Sequence, residues 1–191
     1  KRQARIGKPV IYLYPERPTH AVVRLNVAGR ITQSEPAYDL ATHGWTVEAY
    51  PSGRLIVRDR EYPYLFWEAE TSRLPAPTDT GFVVSADQVD AFLADKLALL
   101  GLSEAEAAEF AEYWSPRMRA HPYCQVRFAG PEYERIAPLS VDPKPSTVIR
   151  VFMVIRPLQA PVAITPQVLR RAPQRQGFTI VEWGGTELSG R

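Results

Sequence analysis

Two apolar runs each set a tryptophan beside a glutamate, YPYLFWEAE at 62–70 and GFTIVEWGG at 177–185. A carboxylate in a run long enough to be buried must be hydrogen-bonded, ion-paired or reserved for chemistry, because an unpaired buried charge costs several kcal/mol. Side chains two apart on a strand share a face. By that rule Tyr12, Tyr14 and Glu16 align, as do Tyr62, Tyr64, Phe66 and Glu68, and likewise Phe178, Ile180 and Glu182. Each series ends in a glutamate. If the strands were neighbours in register, aromatic rings would form a floor with carboxylates along one rim. Such a surface stacks a sugar or peptide ring on Tyr12, Tyr14, Tyr64, Trp67 and Trp183 and hydrogen-bonds its polar edge through Glu68 and Glu182.

The competing reading of these carboxylates is structural. TVIRVFMVIR puts Arg150 and Arg156 on the face shared with Phe152 and Val154, where they are candidates for ligand binding but are equally placed to pair with Glu68 or Glu182, and ion-paired carboxylates are common outside active sites. A catalytic reading needs Glu68 and Glu182 as acid and base. Glycoside hydrolysis would require them about 5–5.5 Å apart for retention or about 6.5–9.5 Å for inversion.

Other reactive residues carry weaker patterns. His121 and Cys124 together suggest an imidazole-activated thiol, but Cys124 shares parity with Val126 and Phe128, which reads as a core thiol. His20, His43 and His121 are far apart without a short-spaced pair, so no zinc site is expected. Asp79, Asp87 and Asp90 do not make a calcium loop. The phosphate-cradling, dinucleotide and nucleophile-elbow motifs are absent from the sequence, and no cofactor is expected. Gly184 and Gly185 read as a turn, with close backbone approach as the alternative. Trp45 and Trp114 read as packing.

These residues need a scaffold, and composition bounds it. A chain of 191 residues suits one domain over 1–191, with 45% hydrophobic and 23% charged residues. Twenty-one acidic residues offset 23 basic ones for a net charge of +2, so no phosphate-binding patch and no nucleic-acid partner is expected. No apolar stretch approaches the roughly 20 residues of a membrane span. The single cysteine excludes an intrachain disulfide.

The 18 prolines mark element ends. Residues 1–7 read as a flexible lead-in, and 8–70 as β-rich: a strand at VIYLY, an alternating strand at HAVVRLNVAG, a hairpin of GWTVEAY and RLIVRDR about Pro51, Ser52 and Gly53, and a third strand over EYPYLFWEAE. A loop follows from Thr71 to Gly81. Ser85 with Gln88 and Ser103 with Glu106 match the capping box, so two helices form a hairpin over about 85–116, the first ending at Gly101 and the second at Pro116. A second β-rich stretch, 122–185, holds YCQVRF, TVIRVFMVIRPL and FTIVEW. The expected fold is α+β, a mostly antiparallel twisted sheet or sandwich carrying a helical hairpin.

The segments KPVIYLYPE, YPYLFWE, LGLSEAEAAEFAEYWSPRM, IRVFMV and GFTIVEWGG resemble a family of uncharacterised bacterial proteins, many of them exported or surface-associated. The resemblance spans nearly the whole chain and implies one intact domain with a cell-envelope or secreted location; it implies no activity, cofactor or catalytic residue. Ala-His-Pro-Tyr at 120–123 departs from the Asn-Pro-Tyr expected of the family, which argues against a catalytic His121. The reading that results is an envelope or extracellular binding module for a glycan or peptide. The alternatives are a hydrolase acting on glycans or peptidoglycan through Glu68 and Glu182, and a structural or oligomerising domain.

Overall fold

Strands that are apolar at nearly every position need cover on both faces, whereas alternating strands need it on one. The chain has both kinds, and three layers result. The computed structural model describes residues 4–75 and 78–188. Its first half runs β1 (Ala4–Tyr14), β2 (Thr19–Leu25), β3 (Arg30–Glu35), β4 (Gly44–Ala49), β5 (Leu55–Val57), β6 (Arg60–Tyr62), β7 (Leu65–Thr71) and β8 (Thr80–Ser85). There follow α1 (Val89–Leu99), α2 (Glu104–Arg119), β9 (Tyr123–Phe128), α3 (Gly130–Ile136), β10 (Leu139–Asp142), β11 (Thr147–Leu158), β12 (Thr165–Pro166) and β13 (Thr179–Glu187).

The larger sheet has the order β12-β8-β9-β11-β13-β1-β7-β3 and the smaller one β10-β2-β4-β5-β6. The fold is α+β and the pairing mostly antiparallel; β11 with β13 and β12 with β8 are the parallel pairs. The central strands β1, β11 and β13 are buried on both sides. One face of the large sheet sets Ile11, Leu13, Trp67, Phe152 and Ile180 against Ala21, Val23, Trp45 and Val47 of the small sheet. Its other face sets Val10, Tyr12, Val151, Val181 and Trp183 against Leu93, Leu97, Phe110 and Trp114 of α1 and α2.

Several expectations hold in detail. Ala21, Val23 and Leu25 of β2 are buried, and the β4–β5 hairpin turns where Pro51, Ser52 and Gly53 predict it, closed by Gly53 N–H donating to Tyr50 O at 2.9 Å. At the end of α1, Gly101 takes φ +92°, and the Leu102 and Gly101 amides bond to the Leu97 and Ala98 carbonyls at 3.0 and 3.2 Å, the double closure that favours glycine there. Ser103 and Glu106 form the predicted reciprocal cap of α2.

Other expectations are corrected. The lead-in is already strand from Ala4, with Ile6 buried; residues 1–3 of it lie outside the described residues, as do 76 and 77 of the loop expected over 71–81. That loop gives way to β8 at Thr80. EYPYLFWEAE is two strands in different sheets, because Pro63 cannot donate to a ladder and the chain crosses between layers at Pro63 and Tyr64. Ser85 does not cap α1: its hydroxyl donates to Asp87 Oδ1 at 2.5 Å, and a 3-10 turn over Ala86–Gln88 precedes the helix. Pro116 does not stop α2, which continues to Arg119 with Met118 buried in the core. Gly184 and Gly185 lie inside β13 rather than in a turn. A Cβ on Gly185 would stand 2.5 Å from Met153 O and 2.6 Å from the Trp114 ring, so close approach is what these glycines provide. The short helix α3 has no counterpart in the sequence reading.

Candidate ligand-binding site

Glu182 is completely buried on the face that meets the small sheet. Parity on β13 puts it there with Ile180, and its parallel partner in β11 is Arg150. Arg150 Nε donates to Glu182 Oε2 at 2.5 Å. Trp67 Nε1 and the Tyr133 hydroxyl both donate to Oε1, at 3.1 and 2.9 Å. The Arg150 guanidinium also donates to Ala137 O at 2.7 Å and lies 4.6 Å from the Tyr133 ring centroid. Burial, reinforced by the Glu182 charge, holds the Tyr133 pKa well above its usual value, so this hydroxyl stays a donor. The cluster is sealed and its carboxylate is saturated with donors.

Glu68 lies on the opposite face of the same sheet. Within β7 it shares parity with Phe66, which packs on the helix side, while Trp67 points to the small sheet. Arg5 pairs with it, and the Lys8 amide donates to it at 3.2 Å from a bulge where Lys8 takes φ +45°. The expected alignment of the three series is therefore corrected: Tyr12, Tyr14, Tyr64, Phe66 and Glu68 face the helices, Tyr62 belongs to the small sheet, and Ile180 and Glu182 face that small sheet from the other side of the large one. Glu68 and Glu182 do not oppose each other across a cleft, and both are ion-paired. Trp67 and Trp183 are wholly buried, on opposite faces, and offer no ring to a ligand. Arg156 pairs with neither glutamate. It donates to Gln125 Oε1, and its buried Nε has no hydrogen-bond partner among the described residues.

Tyr12, Tyr14 and Tyr64 do converge, and α2 meets them. Glu106, Glu109 and Glu112, three residues apart, flank the apolar stripe of that helix. The Tyr14 hydroxyl donates to Glu106 Oε1 and the Tyr12 hydroxyl to Glu109 Oε2, each at 2.8 Å. Glu106 is buried and fully engaged: it caps α2 and receives Arg175 at 2.5 Å. Glu109 is half-buried and, among the described residues, receives only the Tyr12 hydroxyl. Tyr12 in turn accepts from Trp183 Nε1 at 3.0 Å, which fixes its orientation. The Tyr12 and Tyr14 rings lie parallel with centroids 6.1 Å apart, and Tyr64 meets Tyr12 edge-on at 5.5 Å.

Two adjoining hollows open over these rings. One, about 470 Å³, is lined by Tyr12, Tyr14, Arg54, Glu61, Tyr62 and Glu109. The other, about 560 Å³, is lined by Lys8, Tyr64, Glu109, Glu112, Tyr113 and Arg117. Pro63 and Glu109 line both, so the hollows form one groove between α2 and the crossing from β6 to β7. Burial raises the pKa of Tyr12, Tyr14 and Tyr64, and the adjacent glutamates raise it further. The groove thus presents neutral phenols beside the side chains of Glu109 and Glu112.

Elsewhere, Cys124 is a core thiol donating to Met118 O at 3.5 Å, and burial pushes its pKa up to about 11. His121 Nε2 lies 3.4 Å from Glu187 Oε1. Among the described residues no three His, Cys, Asp or Glu side chains are grouped as for a metal ion, and no helix is long and apolar enough to cross a membrane. Leu40, Val148, Val162 and Val168 are the large apolar side chains exposed among the described residues. A separate, largely apolar hollow of about 420 Å³ lies between α1 and α2.

Of the nine residues nominated from sequence, three line the groove. Among its other members Lys8, Arg54, Glu61, Glu109, Glu112, Tyr113 and Arg117 were missed; the sequence signal available was the glutamate row at helical spacing beside Phe110 and Trp114.

No family model matches the chain, and no solved structure matches it. Over 64 residues it is 38% identical to an uncharacterised protein encoded in the bglA 3′ region of Butyrivibrio fibrisolvens. The match covers 33% of this chain and 66% of that relative, just under two thirds of its length.

Proposed function

We propose that this protein is a binding module of the cell envelope or extracellular space, and that its ligand, a glycan or a peptide, lies in the groove between α2 and the Pro63 crossing. The observation that carries this reading is the pair of adjoining polar hollows sharing Glu109 and floored by tyrosines whose hydroxyls stay protonated. Concave sites with aromatic walls and a few convergent polar groups are the usual form of small-ligand sites. The envelope location rests on the resemblance of KPVIYLYPE, YPYLFWE and GFTIVEWGG to a family of uncharacterised bacterial proteins, many of them exported or surface-associated. Hydrolysis by Glu68 and Glu182 has no geometric support, since the two occupy opposite faces of one sheet and each is held by an arginine.

Saturation-transfer NMR with a panel of soluble cell-wall oligosaccharides and short peptides tests the proposal. At least one ligand is expected to receive saturation from the protein and to lose it in Tyr64→Ala. A panel that receives none, or binding unchanged in Tyr64→Ala, overturns it.

A further inference from the structure

We infer that the groove recognises a primary ammonium group on its ligand, with Glu109 as the counter-charge and Tyr64 as a neutral hydrogen-bond partner; this rests on the groove being the binding site. Among the described residues the three cations that line the groove contact partners other than Glu109 and Glu112. Arg54 reaches Glu61 at 3.4 Å and lies 4.1 Å from the Tyr50 ring centroid. Arg117 lies 3.6 Å from the Tyr113 ring centroid and donates to Tyr113 O, and the Lys8 ammonium sits 5.4 Å from the same ring.

Glu109 and Glu112 are not matched in this way. Among the described residues Glu109 forms no salt bridge and takes one hydrogen bond, from Tyr12, while Glu112 has neither. The Tyr64 hydroxyl makes no hydrogen bond there either, and the charges that act on it are those of Glu109 and Glu112. Tyr12 cannot supply a second donor to Glu109, because its one proton is already given there and its oxygen accepts from Trp183.

Unused acceptor capacity on the Glu109 side chain, walled by tyrosine rings, suits a group with several N–H donors and a positive charge. A carboxylate and aromatic rings both attract an ammonium, and both do so more strongly out of bulk water. An anionic or purely hydroxylic ligand leaves the Glu109 charge without a counter-charge. The same ammonium chemistry is carried by an unacetylated amino sugar and by a lysine side chain in a peptide.

The experiment separates these sources and separates this inference from the groove itself. A glucosamine tetrasaccharide and a lysine-containing tripeptide are titrated calorimetrically into the protein, each beside its fully N-acetylated counterpart. One free-amine probe is expected to bind about tenfold or more tightly than its acetylated form, and which one binds names the source. Glu109→Gln, which keeps an acceptor for Tyr12, is expected to abolish that preference, and Tyr64→Phe to weaken the free amine while preserving the ring. Equal binding of free and acetylated probes, lost in Tyr64→Ala, overturns the ammonium inference and leaves the groove reading standing. Absence of binding by all four probes to a folded protein overturns the inference as well, while the wider ligand panel alone decides the groove reading.

Discussion

Glu182→Gln removes one charge and keeps the shape, and the structure sets its cost. The carboxylate is fully buried and its partner Arg150 is only 5% exposed. A glutamine has one acceptor oxygen for three donors. With that oxygen toward Trp67 and Tyr133, its amide NH₂ faces the Arg150 Nε–H; flipped, it faces the other two. Either way a buried guanidinium loses its counter-charge and a donor meets a donor. Breaking a buried pair by removing one member costs about 3–5 kcal/mol. At roughly 2–4 °C per kcal/mol for a chain of this size, Tm should fall by roughly 6–20 °C. Urea unfolding followed by tryptophan fluorescence measures the loss, and a double-mutant cycle with Arg150→Met should give a coupling of about 1–3 kcal/mol. Glu68→Gln is the internal control: Arg5 is 66% exposed, so the loss should be about 1 kcal/mol or less. A Glu182→Gln loss below about 1 kcal/mol, or strict additivity with Arg150→Met, would refute the claim that this carboxylate is scaffold.

Gly185→Ala should cost about 1–3 kcal/mol or more, because the new methyl meets Met153 O and the Trp114 ring in a strand paired on both sides; an unchanged urea midpoint would contradict the packing described. Glu106→Ala removes the Glu106 half of the α2 capping box and the acceptor of Tyr14 and Arg175 together. It should cost about 2–4 kcal/mol and speed amide exchange in the first turn of α2, and protection equal to wild type would contradict that role. The alkaline limb of stability follows from groups whose folded pKa is raised. Cys124 moves from 9.0 to about 11, and Tyr12, Tyr14, Tyr64 and Tyr133 rise from 10.0. The folded state keeps these protons while the unfolded chain releases them, so their contribution is complete below pH 9.0 and drains away as pH rises through 9–11 and beyond. Urea stability should decline across that window, with tyrosinate absorbance from these rings appearing only on unfolding; a flat profile would contradict it.

Strand parity was legible wherever one face of a strand meets water or core unambiguously. It placed β2, the β4–β5 hairpin, β9, β11 and β13, and the pattern of Ser103 and Glu106 placed the start of α2. What parity within one strand does not encode is which face of the sheet a series occupies. That depends on register and on the β1 bulge near Lys8, and so Glu68 and Glu182 looked like companions although the sheet lies between them. The break at Pro63 was written in the sequence but read as an interruption within a strand rather than a crossing between sheets. Glu109 stayed hidden because its role depends on α2 docking over Tyr12, a contact 97 residues away in the chain. Tyr12 and Tyr14 could be grouped because their side chains alternate on one strand, whereas Tyr64 sits in the crossing beside them; Glu109 could not, because it comes from the helix packed over them.

The most direct test of the groove is a crystal structure of the protein soaked with the free-amine probe that binds in solution. Density over Tyr12 and Tyr64, with the probe's nitrogen about 3 Å from Glu109, is the expected result. Density in the hollow between α1 and α2 with the groove empty would contradict the account.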